Sequence, residues 1–475
     1  MSEFRALFEK AAGYAADYRE AVSADPQPLK ADYATILDRV SAPLPETATA
    51  PEAIIDDLVH LVEGGLAPMT GPRFFGWVMG SSHPAGVAAD FLVSAWGQNT
   101  FHHSAMPATS AIEAVAERWL LELLDLPRDS AIGFCTGATV ANGICLAAAR
   151  TGTLLKAGWD PDADGLFGAP PVHVLIGADA HSSLFASLQL IGFGYRRVTK
   201  IATDDQGRMI PAALEAEIAE LSGPKIVIAQ AGQINTGAFD PFTEVARMAR
   251  EHDAWLHVDG AFGLWARATP AHKHLTDSIE LCDSWCTDGH KWLQAPYDSG
   301  FAIVRDKEIL LKAMTQWSSY LPSLEQGGRV PSNYVPELSR RARGVPVWAV
   351  IRALGREGVA EIVERGCVLT TRIAERLAQE PGINLLNAVT INQAVFSFGS
   401  GDLASRRANT EQVIARVQKV GTCFVGGAEW RGEWAMRLSI SSHRTTEADV
   451  DMSADAIIAA WRAVQASPKA SASSR

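Results

Sequence analysis

The stretch KIVIAQAGQINTGAFDPFTEVARMAREHDAWLHVDGA, residues 225–261, decides the fold class. It begins with an apolar, β-branched run, KIVIAQAG (225–232), and ends with a second one, AWLHVDGA (254–261). A segment with the apolar spacing of a helix lies between the two runs. Short apolar strands that alternate with helices are typical of a parallel sheet buried on both faces.

The same alternation continues on both sides of this stretch. HVLIGA (173–178) and GFAIVR (300–305) are further apolar runs, and helical patterns separate such runs from about residue 90 to 310. The sequence therefore predicts an α/β protein whose mostly parallel sheet carries helices on both faces.

Different patterns flank this central region. Residues 1 to about 70 show helical spacing broken by Pro-rich links, and the runs AVFSFG and MRLSIS after Trp348 predict a small α+β domain. The Gly-, Pro- and Ser-rich segment at about 318–336 predicts a long loop that serves as a lid. The predicted organisation is an N-terminal helical segment (1–90), a large domain (91–345), a small C-terminal domain (346–465) and a disordered tail (466–475).

Composition limits the classes of partner. The 475 residues carry 42 Lys and Arg against 54 Asp and Glu, a formal net charge of −12, which argues against nucleic acids and anionic membranes as partners. The charged N-terminus lacks the apolar run of a signal peptide. Six thinly spread cysteines without a CxxC pair predict buried free thiols in a reducing compartment, so we expect a cytoplasmic protein.

A strand-to-helix turn in GFCTGATVANGICLAAAR (133–150) is suited to an anion. Gly137 and Ala138 allow close approach of a bound group, and the first N–H groups of the helix attract negative charge. Thr139 adds a hydroxyl donor. The pattern matches neither GxGxxG nor the P-loop, so neither a dinucleotide nor a nucleoside triphosphate is indicated. An ordinary strand–helix turn is the alternative interpretation.

An acid and an amine follow this turn along the chain. Asp259 ends the run WLHVD, where a carboxylate points into the ligand crevice of α/β proteins. Lys291 follows 32 residues later, between His290 and Trp292. Each has a structural alternative, a helix cap for the acid and a surface position for the lysine. Together with the turn they supply what pyridoxal phosphate requires: an anchor for its phosphate, an anion for its ring nitrogen and an amine for its aldehyde.

Eight short motifs resemble, in order, those of the group II pyridoxal-phosphate decarboxylases, which include aromatic amino acid, glutamate and tyrosine decarboxylases. The resemblance runs from about Phe74 to Glu447. It implies the fold type I architecture with a seven-stranded sheet, and decarboxylation of an L-amino acid to an amine and CO2. The motifs are FFGW (74–77), MPATSAIE (106–113), TGATVAN (136–142), DAHSS (179–183), AGQINTGAFDP (231–241), HVDGA (257–261), HKW (290–292) and LSRRAR (338–343).

The resemblance implies a role for each matching position. Lys291 matches the lysine that forms a Schiff base with the cofactor, and Asp259 matches the partner of the ring nitrogen. His181 matches the histidine that stacks on the ring near the scissile bond. The other positions implied to bind the cofactor are Ala261 beneath the ring, Asp288 and His290 near the phosphate, and Gly137, Ala138 and Thr139 in the phosphate turn.

The resemblance also implies a catalytic loop. The segment at 318–336 aligns with a mobile loop whose tyrosine is thought to protonate the carbanion left by CO2 loss. Tyr334 is the predicted proton donor and Tyr320 the reserve, with packing of the loop as the alternative role of Tyr334. A phenylalanine in this loop is associated with oxidative formation of an aldehyde.

A substrate pocket and a dimer are implied as well. Trp77, Asn99 and Phe101 fall on the implied pocket wall, where two aromatic rings suit an aromatic or sizeable apolar substrate side chain unless they belong to the core. Members of the family place their active sites at a two-fold interface, with N-terminal helices wrapped around the partner. We therefore expect a homodimer with shared active sites.

Two positions depart from the family pattern. Gln233 stands where many members have threonine near the cofactor, and Asp288 stands where many have asparagine. A carboxylate beside a dianionic phosphate is unfavourable unless a donor intervenes or the acid turns away. Both changes leave covalent attachment of the cofactor intact.

Three rival functions use or replace this set of residues. An aminotransferase or an aldehyde synthase would keep the cofactor, and Arg437 in MRLSIS would then bind an α-carboxylate. A binding protein without cofactor is disfavoured by the joint presence of Lys291, Asp259 and His181. No metal is predicted, because the histidines of a zinc site lack ligand partners at usable spacing: His102, His103, His272 and His274.

Overall fold

The computed structural model describes residues 3–24, 28–316 and 328–466. Its largest feature is a seven-stranded sheet in the order β1-β7-β6-β5-β4-β2-β3. The strands are β1 (Ala131–Cys135), β2 (His173–Gly177), β3 (Val198–Ile201), β4 (Lys225–Gln230), β5 (Ala254–Asp259), β6 (Ser284–Asp288) and β7 (Gly300–Val304). The four apolar runs predicted to be strands form β2, β4, β5 and β7.

The sheet is mostly parallel, as predicted. Strands β2 to β6 pair in parallel with one another, whereas β7 pairs antiparallel with both β6 and β1. Residues 289–299 alone connect β6 to β7. That length is too short for the helical crossover that joins parallel neighbours, so the chain turns back on itself.

Both faces of the sheet are buried, in two separate cores. In β4, Val227 and Ala229 belong to one core, and Ile226 and Ile228 belong to the other. This alternation is the period of a strand whose two faces both meet helices, and it explains why the runs are apolar throughout. The predicted α/β class with helices on both faces is confirmed.

Helices and short 3-10 segments make up most of the remaining described chain. The α-helices are α1 (Glu3–Ala24), α2 (Tyr33–Val40), α3 (Pro51–Leu61), α4 (Pro84–Trp96), α5 (Pro107–Leu123), α6 (Ala138–Lys156), α7 (Pro161–Asp164), α8 (Ser182–Leu190), α9 (Pro211–Ala219), α10 (Phe242–Glu251), α11 (Lys307–Met314), α12 (Gly344–Ala378), α13 (Leu403–Val420) and α14 (Glu447–Ala466). The 3-10 segments are Gly263–Ala268, Lys273–Thr276, Ile279–Leu281 and Pro331–Tyr334. Helix α6 packs across β5, β6 and β7, which brings its N-terminus to the carboxyl ends of the parallel strands.

A second, antiparallel sheet follows the long helix α12. Its strands are β8 (Ile383–Leu385), β9 (Gln393–Phe398), β10 (Gly426–Trp430) and β11 (Glu433–Ser439), in the order β10-β11-β9-β8. The predicted runs AVFSFG and MRLSIS thus lie in β9 and β11. Backbone bonds from Phe75 N–H to the Phe424 carbonyl and from Ser439 N–H to the Phe75 carbonyl, both 2.9 Å, tie the segment before α4 to this sheet.

The N-terminal helices bury little apolar surface within this chain. Helices α1 and α3 are joined by hydrogen bonds from Lys10 (2.5 Å) and Tyr14 (2.7 Å) to the carboxylate of Asp56. Large apolar side chains remain exposed on the same helices, among them Phe4 at 72% and Leu58 at 55%. Across the described ranges, no helix combines the length and apolar character needed to cross a membrane.

Two predicted segments fall partly outside the described residues. These are residues 318–327 of the predicted lid and residues 467–475 of the predicted tail. The remaining part of the lid contains the 3-10 segment Pro331–Tyr334. All six cysteines are described, and they are buried free thiols, as the sequence predicts.

Candidate active site

The carboxyl ends of β1, β5 and β6 meet at one edge of the large sheet. Asp259 ends β5, and Asp288 ends the neighbouring parallel strand β6. Strand β1 ends at Cys135 and leads through Gly137 into α6. Because these three strands run in the same direction, their ends bring two buried carboxylates and a helix N-terminus into one crevice.

The Asp288 carboxylate contacts groups from three of the predicted site positions. Its Oδ1 accepts a hydrogen bond of 2.6 Å from the backbone N–H of Ala138, and its Oδ2 lies 3.1 Å from Nζ of Lys291. Nε2 of His290 lies 3.6 Å from Oδ1. The Asp288 side chain is 3% exposed, so these contacts replace the hydration that burial removes.

Glycines let the backbone close around this cluster. A Cβ on Gly300 would lie 2.4 Å from Cα of Gly137, and a Cβ on Gly80 would lie 2.3 Å from the carbonyl oxygen of Lys291. A Cβ on Gly137 would fill the space 3.3 Å from Oδ1 of Asp288. A side chain at any of these positions would obstruct either the turn that carries the lysine or the space in front of α6.

The start of α6 presents the donors that a phosphate requires. The first intrahelical bond runs from the N–H of Ala141 to the carbonyl of Gly137 at 2.9 Å, so the earlier N–H groups of Thr139 and Val140 have no partner within the helix. Thr139 is exposed, and its hydroxyl is accessible to a ligand. Together with the space beside Gly137, these donors fit the phosphate of pyridoxal phosphate.

Asp259 fits the partner of a pyridine nitrogen. It is 4% exposed, and its Oδ1 accepts hydrogen bonds from the N–H of Ala261 (3.2 Å) and from Sγ of Cys286 (3.4 Å). Both contacts involve Oδ1, so Oδ2 is the oxygen left for a protonated ring nitrogen. The partly buried Ala261 presents only a methyl group, which leaves room for a flat ring.

His181 caps α8 and faces the same charges. Its Nδ1 accepts a hydrogen bond from the backbone N–H of Ser183 (3.3 Å) and lies 2.8 Å from the Ser183 hydroxyl. This arrangement places the ring proton on Nε2. Burial lowers the pKa of His181, and the nearby charges of Lys291 and Arg437 lower it further, against the opposing effect of Asp259. The ring is therefore a neutral imidazole with an N–H available to a ligand.

Gln294 fixes the turn that carries Lys291, and sequence reasoning missed it. It is fully buried, and its Nε2 donates to the carbonyl oxygens of Lys291 (2.8 Å) and Ser441 (2.6 Å). Its Oε1 accepts from the hydroxyl of Ser81 at 2.9 Å. A buried glutamine three residues after the lysine therefore joins the site to the segment after β11 and to the segment before α4. The feature of the sequence that could have indicated Gln294 was its position in HKWLQ, just after Lys291.

Tyr297 is a second site residue that the sequence did not indicate. Its ring stacks on His290 with centroids 4.4 Å apart. Burial, with a smaller contribution from the Asp288 charge, raises the pKa of Tyr297 to about 12, so the phenol keeps its proton. Burial lowers the pKa of His290, against the opposing effect of Asp288. An aromatic pair thus flanks the Asp288 cluster.

Tyr334, the predicted proton donor, is packed into the core beside β1. The residue is 4% exposed, and the guanidinium carbon of Arg329 lies 3.8 Å from its ring centroid. Arg329 in turn pairs with Glu117 at 2.7 Å and Glu113 at 3.3 Å. This is the packing role considered as the alternative, and the catalytic role stays a prediction. The reserve, Tyr320, lies outside the described residues.

The three predicted pocket residues have different surroundings. Trp77 is 50% exposed and packs on Phe424 with ring centroids 5.1 Å apart. Asn99 accepts a hydrogen bond of 2.9 Å from the backbone N–H of Arg340 through its side-chain oxygen, which is a structural role. Phe101 is partly buried. Contact of these residues with substrate stays a prediction.

Gln233 and Arg437 serve the backbone of the loop after β4. The side-chain oxygen of Gln233 accepts from the N–H groups of Asn235 (2.6 Å) and Thr236 (3.0 Å). Arg437 donates to the carbonyl of Ile234 at 3.1 Å and lies 3.4 Å from Oδ1 of Asn235. Burial lowers the pKa of Arg437 to about 10. The amide oxygen of Gln233 is thus used by its own loop, and its Nε2 donates to the carbonyl of Asp179 at 3.2 Å, two residues before His181.

No three His, Cys, Asp or Glu side chains among the described residues are grouped as they would be around a metal ion. The four histidines considered for a zinc site do not form such a group. The prediction that the protein uses no metal remains a prediction.

Comparison with known proteins agrees with this geometry. Residues 35–398 match the family described as the pyridoxal-dependent decarboxylase conserved domain. The aromatic-L-amino-acid decarboxylase of Bacillus atrophaeus is 27% identical over 459 residues, which cover 94% of this chain and 93% of that protein. The 4-hydroxyphenylacetaldehyde synthase of Rhodiola rosea is 27% identical over 432 residues, covering 87% of this chain and 84% of that enzyme.

The fold is shared with solved structures. The structure of Oryza sativa TDC with PLP and tryptamine superimposes with a TM-score of 0.89 at 22% identity, covering 97% of this chain and 98% of that one. Agreement over nearly the whole of both chains confirms the predicted fold type I architecture.

Proposed function

The chain belongs to the pyridoxal-dependent decarboxylase family, and on this premise we propose that it converts an L-amino acid with an aromatic or sizeable apolar side chain to the amine and CO2. The observation that carries the proposal is the convergence of Lys291, Asp259 and the N-terminus of α6 at one edge of the sheet. An amine, an anion and a phosphate cradle in one crevice are the three attachment points of pyridoxal phosphate.

Each of these groups has a distinct task. When bound, pyridoxal phosphate supplies an electron sink for the pair of electrons left on Cα as CO2 departs. Lys291 would hold its aldehyde carbon, and Oδ2 of Asp259 would keep its ring nitrogen protonated. The N–H groups at the start of α6 and the hydroxyl of Thr139 would hold its phosphate.

His181 is the group proposed to work nearest the reacting bond. The Ser183 contacts fix its tautomer, so the proton on Nε2 is available to be donated. Its lowered pKa makes the ring a neutral donor rather than a fixed cation. A neutral ring also avoids holding the leaving carboxylate by charge, since an apolar surrounding favours its loss as CO2. We assign to His181 the relay of a proton to Cα, in company with any tyrosine that the loop at 318–336 supplies. As Nε2 gives up its proton, Nδ1 takes one from water through the Ser183 hydroxyl, so the ring ends the step neutral.

A homodimer would complete the pocket. The exposed side chains of α1 and α3, together with the half-exposed ring of Trp77, form apolar surface that a second copy of this chain would cover. On this proposal residues 1–90 are the dimerisation segment, and residues 91–345 and 346–465 are the large and small domains. Sedimentation of the purified protein should give the mass of a dimer. A fully active monomer in dilute solution would contradict this part of the proposal.

The proposed setting is the cytoplasm, with an amino acid as the partner and no nucleic acid or membrane. The buried free thiols and the net charge of −12 support this setting. Fractionation of the producing cell would place the activity with the reduced, soluble compartment.

An aldehyde synthase is the second candidate function. It is favoured by the likeness to the Rhodiola rosea enzyme and by the packing of the Tyr334 ring against Arg329, which is the non-catalytic role of that tyrosine. In that reaction dioxygen is reduced to hydrogen peroxide while the amino acid loses CO2 and ammonia, and water supplies the oxygen of the aldehyde. An aminotransferase would instead give a keto acid without CO2.

One assay separates these outcomes. The pyridoxal-phosphate-loaded protein is incubated with each common amino acid and with dihydroxyphenylalanine, and CO2, amine, aldehyde, peroxide and keto acid are measured together. Equal amounts of CO2 and amine support the decarboxylase. Aldehyde with peroxide supports the synthase, and keto acid without CO2 overturns both. Lys291→Ala is the matched control for background chemistry.

A further inference from the structure

We propose that Asp288 is a built-in competitor of the cofactor's phosphate: its carboxylate takes one of the donors of the phosphate cradle and has to leave it when pyridoxal phosphate binds. The inference rests on the proposed function, because it concerns the affinity of the same cofactor site. It assigns to Asp288 a role in cofactor exchange that goes beyond contact with the phosphate.

The Asp288 carboxylate lies at the start of α6, where the phosphate of the cofactor is also expected. Oδ1 of Asp288 takes the N–H of Ala138 at 2.6 Å, the first donor of α6, and Oδ2 lies 3.1 Å from the Lys291 ammonium. A buried carboxylate with two such contacts is well stabilised, since hydrogen bonds to charged groups are shorter and stronger than neutral ones. One donor of the cradle is therefore already taken before any phosphate arrives.

The same contacts are lost when the cofactor binds. A phosphate oxygen that accepts from Ala138 N–H cannot share that donor with Oδ1 of Asp288, because the two anions would lie within a hydrogen-bond length of each other. Once the Lys291 amine has attached to the aldehyde carbon, it no longer offers Asp288 a free ammonium. The carboxylate loses both favourable contacts and gains a dianionic neighbour.

The surroundings give little compensation for that loss. The space around Oδ1 is narrow, because even a Cβ on Gly137 would lie 3.3 Å from it. The remaining ionisable groups that interact with Asp288 include five that are neutral or become anionic. They are His181, His290, Tyr297 and the thiols of Cys135 and Cys286. We therefore expect Asp288 to weaken cofactor binding and to speed cofactor release.

Asp288→Asn tests the proposal without removing the side chain. The amide keeps an oxygen for Ala138 N–H or turns its NH2 toward the phosphate, and it carries no charge. The dissociation constant of pyridoxal phosphate is measured by titrating the apoprotein and following the absorbance of the lysine-bound cofactor and tryptophan fluorescence. We expect Asp288→Asn to bind pyridoxal phosphate at least about tenfold more tightly, the size of one lost charge repulsion of about 1.4 kcal/mol.

Two controls isolate the phosphate. Pyridoxal, which has no phosphate, still engages the Lys291 amine through its aldehyde, so Asp288→Asn should change its affinity much less than the affinity for pyridoxal phosphate. Asp298→Asn removes the same charge ten residues away, where Asp298 pairs with Arg343 at 2.8 Å, and it should leave the affinity for pyridoxal phosphate unchanged. If Asp288→Asn does not fold, Asp288→Ser gives the same comparison with a smaller neutral side chain.

A second readout uses no cofactor. Inorganic phosphate should raise the melting temperature of Asp288→Asn apoprotein more than that of wild-type apoprotein, because the variant has no carboxylate at the cradle to repel the phosphate. Equal or weaker binding of pyridoxal phosphate by Asp288→Asn overturns the inference. Failure of the wild-type protein to bind pyridoxal phosphate at all overturns the proposed function instead, so the two failures are distinct.

Discussion

Nζ of Lys291 lies 3.1 Å from Oδ2 of Asp288, three residues earlier along the chain. Asp288 is buried and Lys291 is partly buried, and the same carboxylate reaches the N-terminus of α6 with its other oxygen. One side chain thus connects the amine and the phosphate cradle, two parts of the site that are 153 residues apart in sequence. This connection explains why the cofactor has to reorganise the site in order to bind.

Lys291→Ala should abolish turnover, because Lys291 carries the amine that lies beside the Asp288 carboxylate and the start of α6. The absorbance band of the lysine-bound cofactor should disappear with it. Absorption spectra and product assays on the loaded variant check both effects. Retained turnover at the wild-type rate would mean that the amine lies elsewhere.

Asp259→Ala should lower kcat by about 100-fold or more, because the ring nitrogen loses the anion that keeps it protonated. Steady-state kinetics measure the effect, with Cys286→Ala as the matched control. That variant removes only the 3.4 Å thiol contact to Oδ1 and leaves the carboxylate in place. Similar losses in both variants would indicate a packing defect rather than a lost charge.

His181→Gln should lower kcat by about 100-fold while changing cofactor affinity only a few-fold, because the proton on Nε2 is lost. Ser183→Ala is the companion variant, since it removes the hydroxyl that lies 2.8 Å from Nδ1 and keeps the ring. It should give a milder loss. A glutamine variant with unchanged kcat and product ratio would leave His181 as a helix cap alone.

Tyr334→Phe separates catalysis from packing at this position. The buried ring beneath Arg329 predicts an unchanged ratio of amine to aldehyde, because the arginine contacts the ring face, which phenylalanine also has. The assay is the product ratio of the variant with the preferred substrate. A shift from amine to aldehyde would establish Tyr334 as the proton donor and require the loop to rearrange.

Acid should destabilise the fold through His257. Burial lowers the pKa of this histidine to about 3, and its ring lies between Asn142 Oδ1 (2.8 Å) and the Ser284 hydroxyl (2.9 Å). In the unfolded chain, His257 is protonated below about pH 6.5. In the folded chain, it is protonated only below about pH 3. The contribution of His257 to the free energy of unfolding is therefore full above pH 6.5. It falls as the pH drops toward 3, by up to about 1.4 kcal/mol per pH unit.

Urea unfolding midpoints between pH 5 and 7.5 measure this slope, and His257→Gln, which does not titrate, should flatten it. Asp240 acts in the opposite direction. Burial raises its pKa to about 6, so its contribution to stability grows as pH falls from 6 toward 3.8. Parallel profiles for the wild-type protein and His257→Gln would show that the acid response arises from other groups.

The sequence by itself determined the elements and the chemistry. Apolar runs at 173–178, 225–232, 254–261 and 300–305 became β2, β4, β5 and β7, because a strand buried on both faces must be apolar throughout. The order of a small-residue turn, Asp259 and Lys291 identified the cofactor, because an anchor, an anion and an amine are local residue types at readable spacing.

Tertiary structure alone decided how these residues meet. The bond between Asp288 and Ala138 joins positions 150 residues apart, and it exists because α6 packs across β6. Gln294 gained its role from the carbonyl of Ser441, two residues after β11, and the ring of Tyr334 packs against Arg329. Sequence spacing specifies which groups are present along one strand or turn. The direction in which a side chain points, and the partner it finds, depend on what the rest of the chain packs against it.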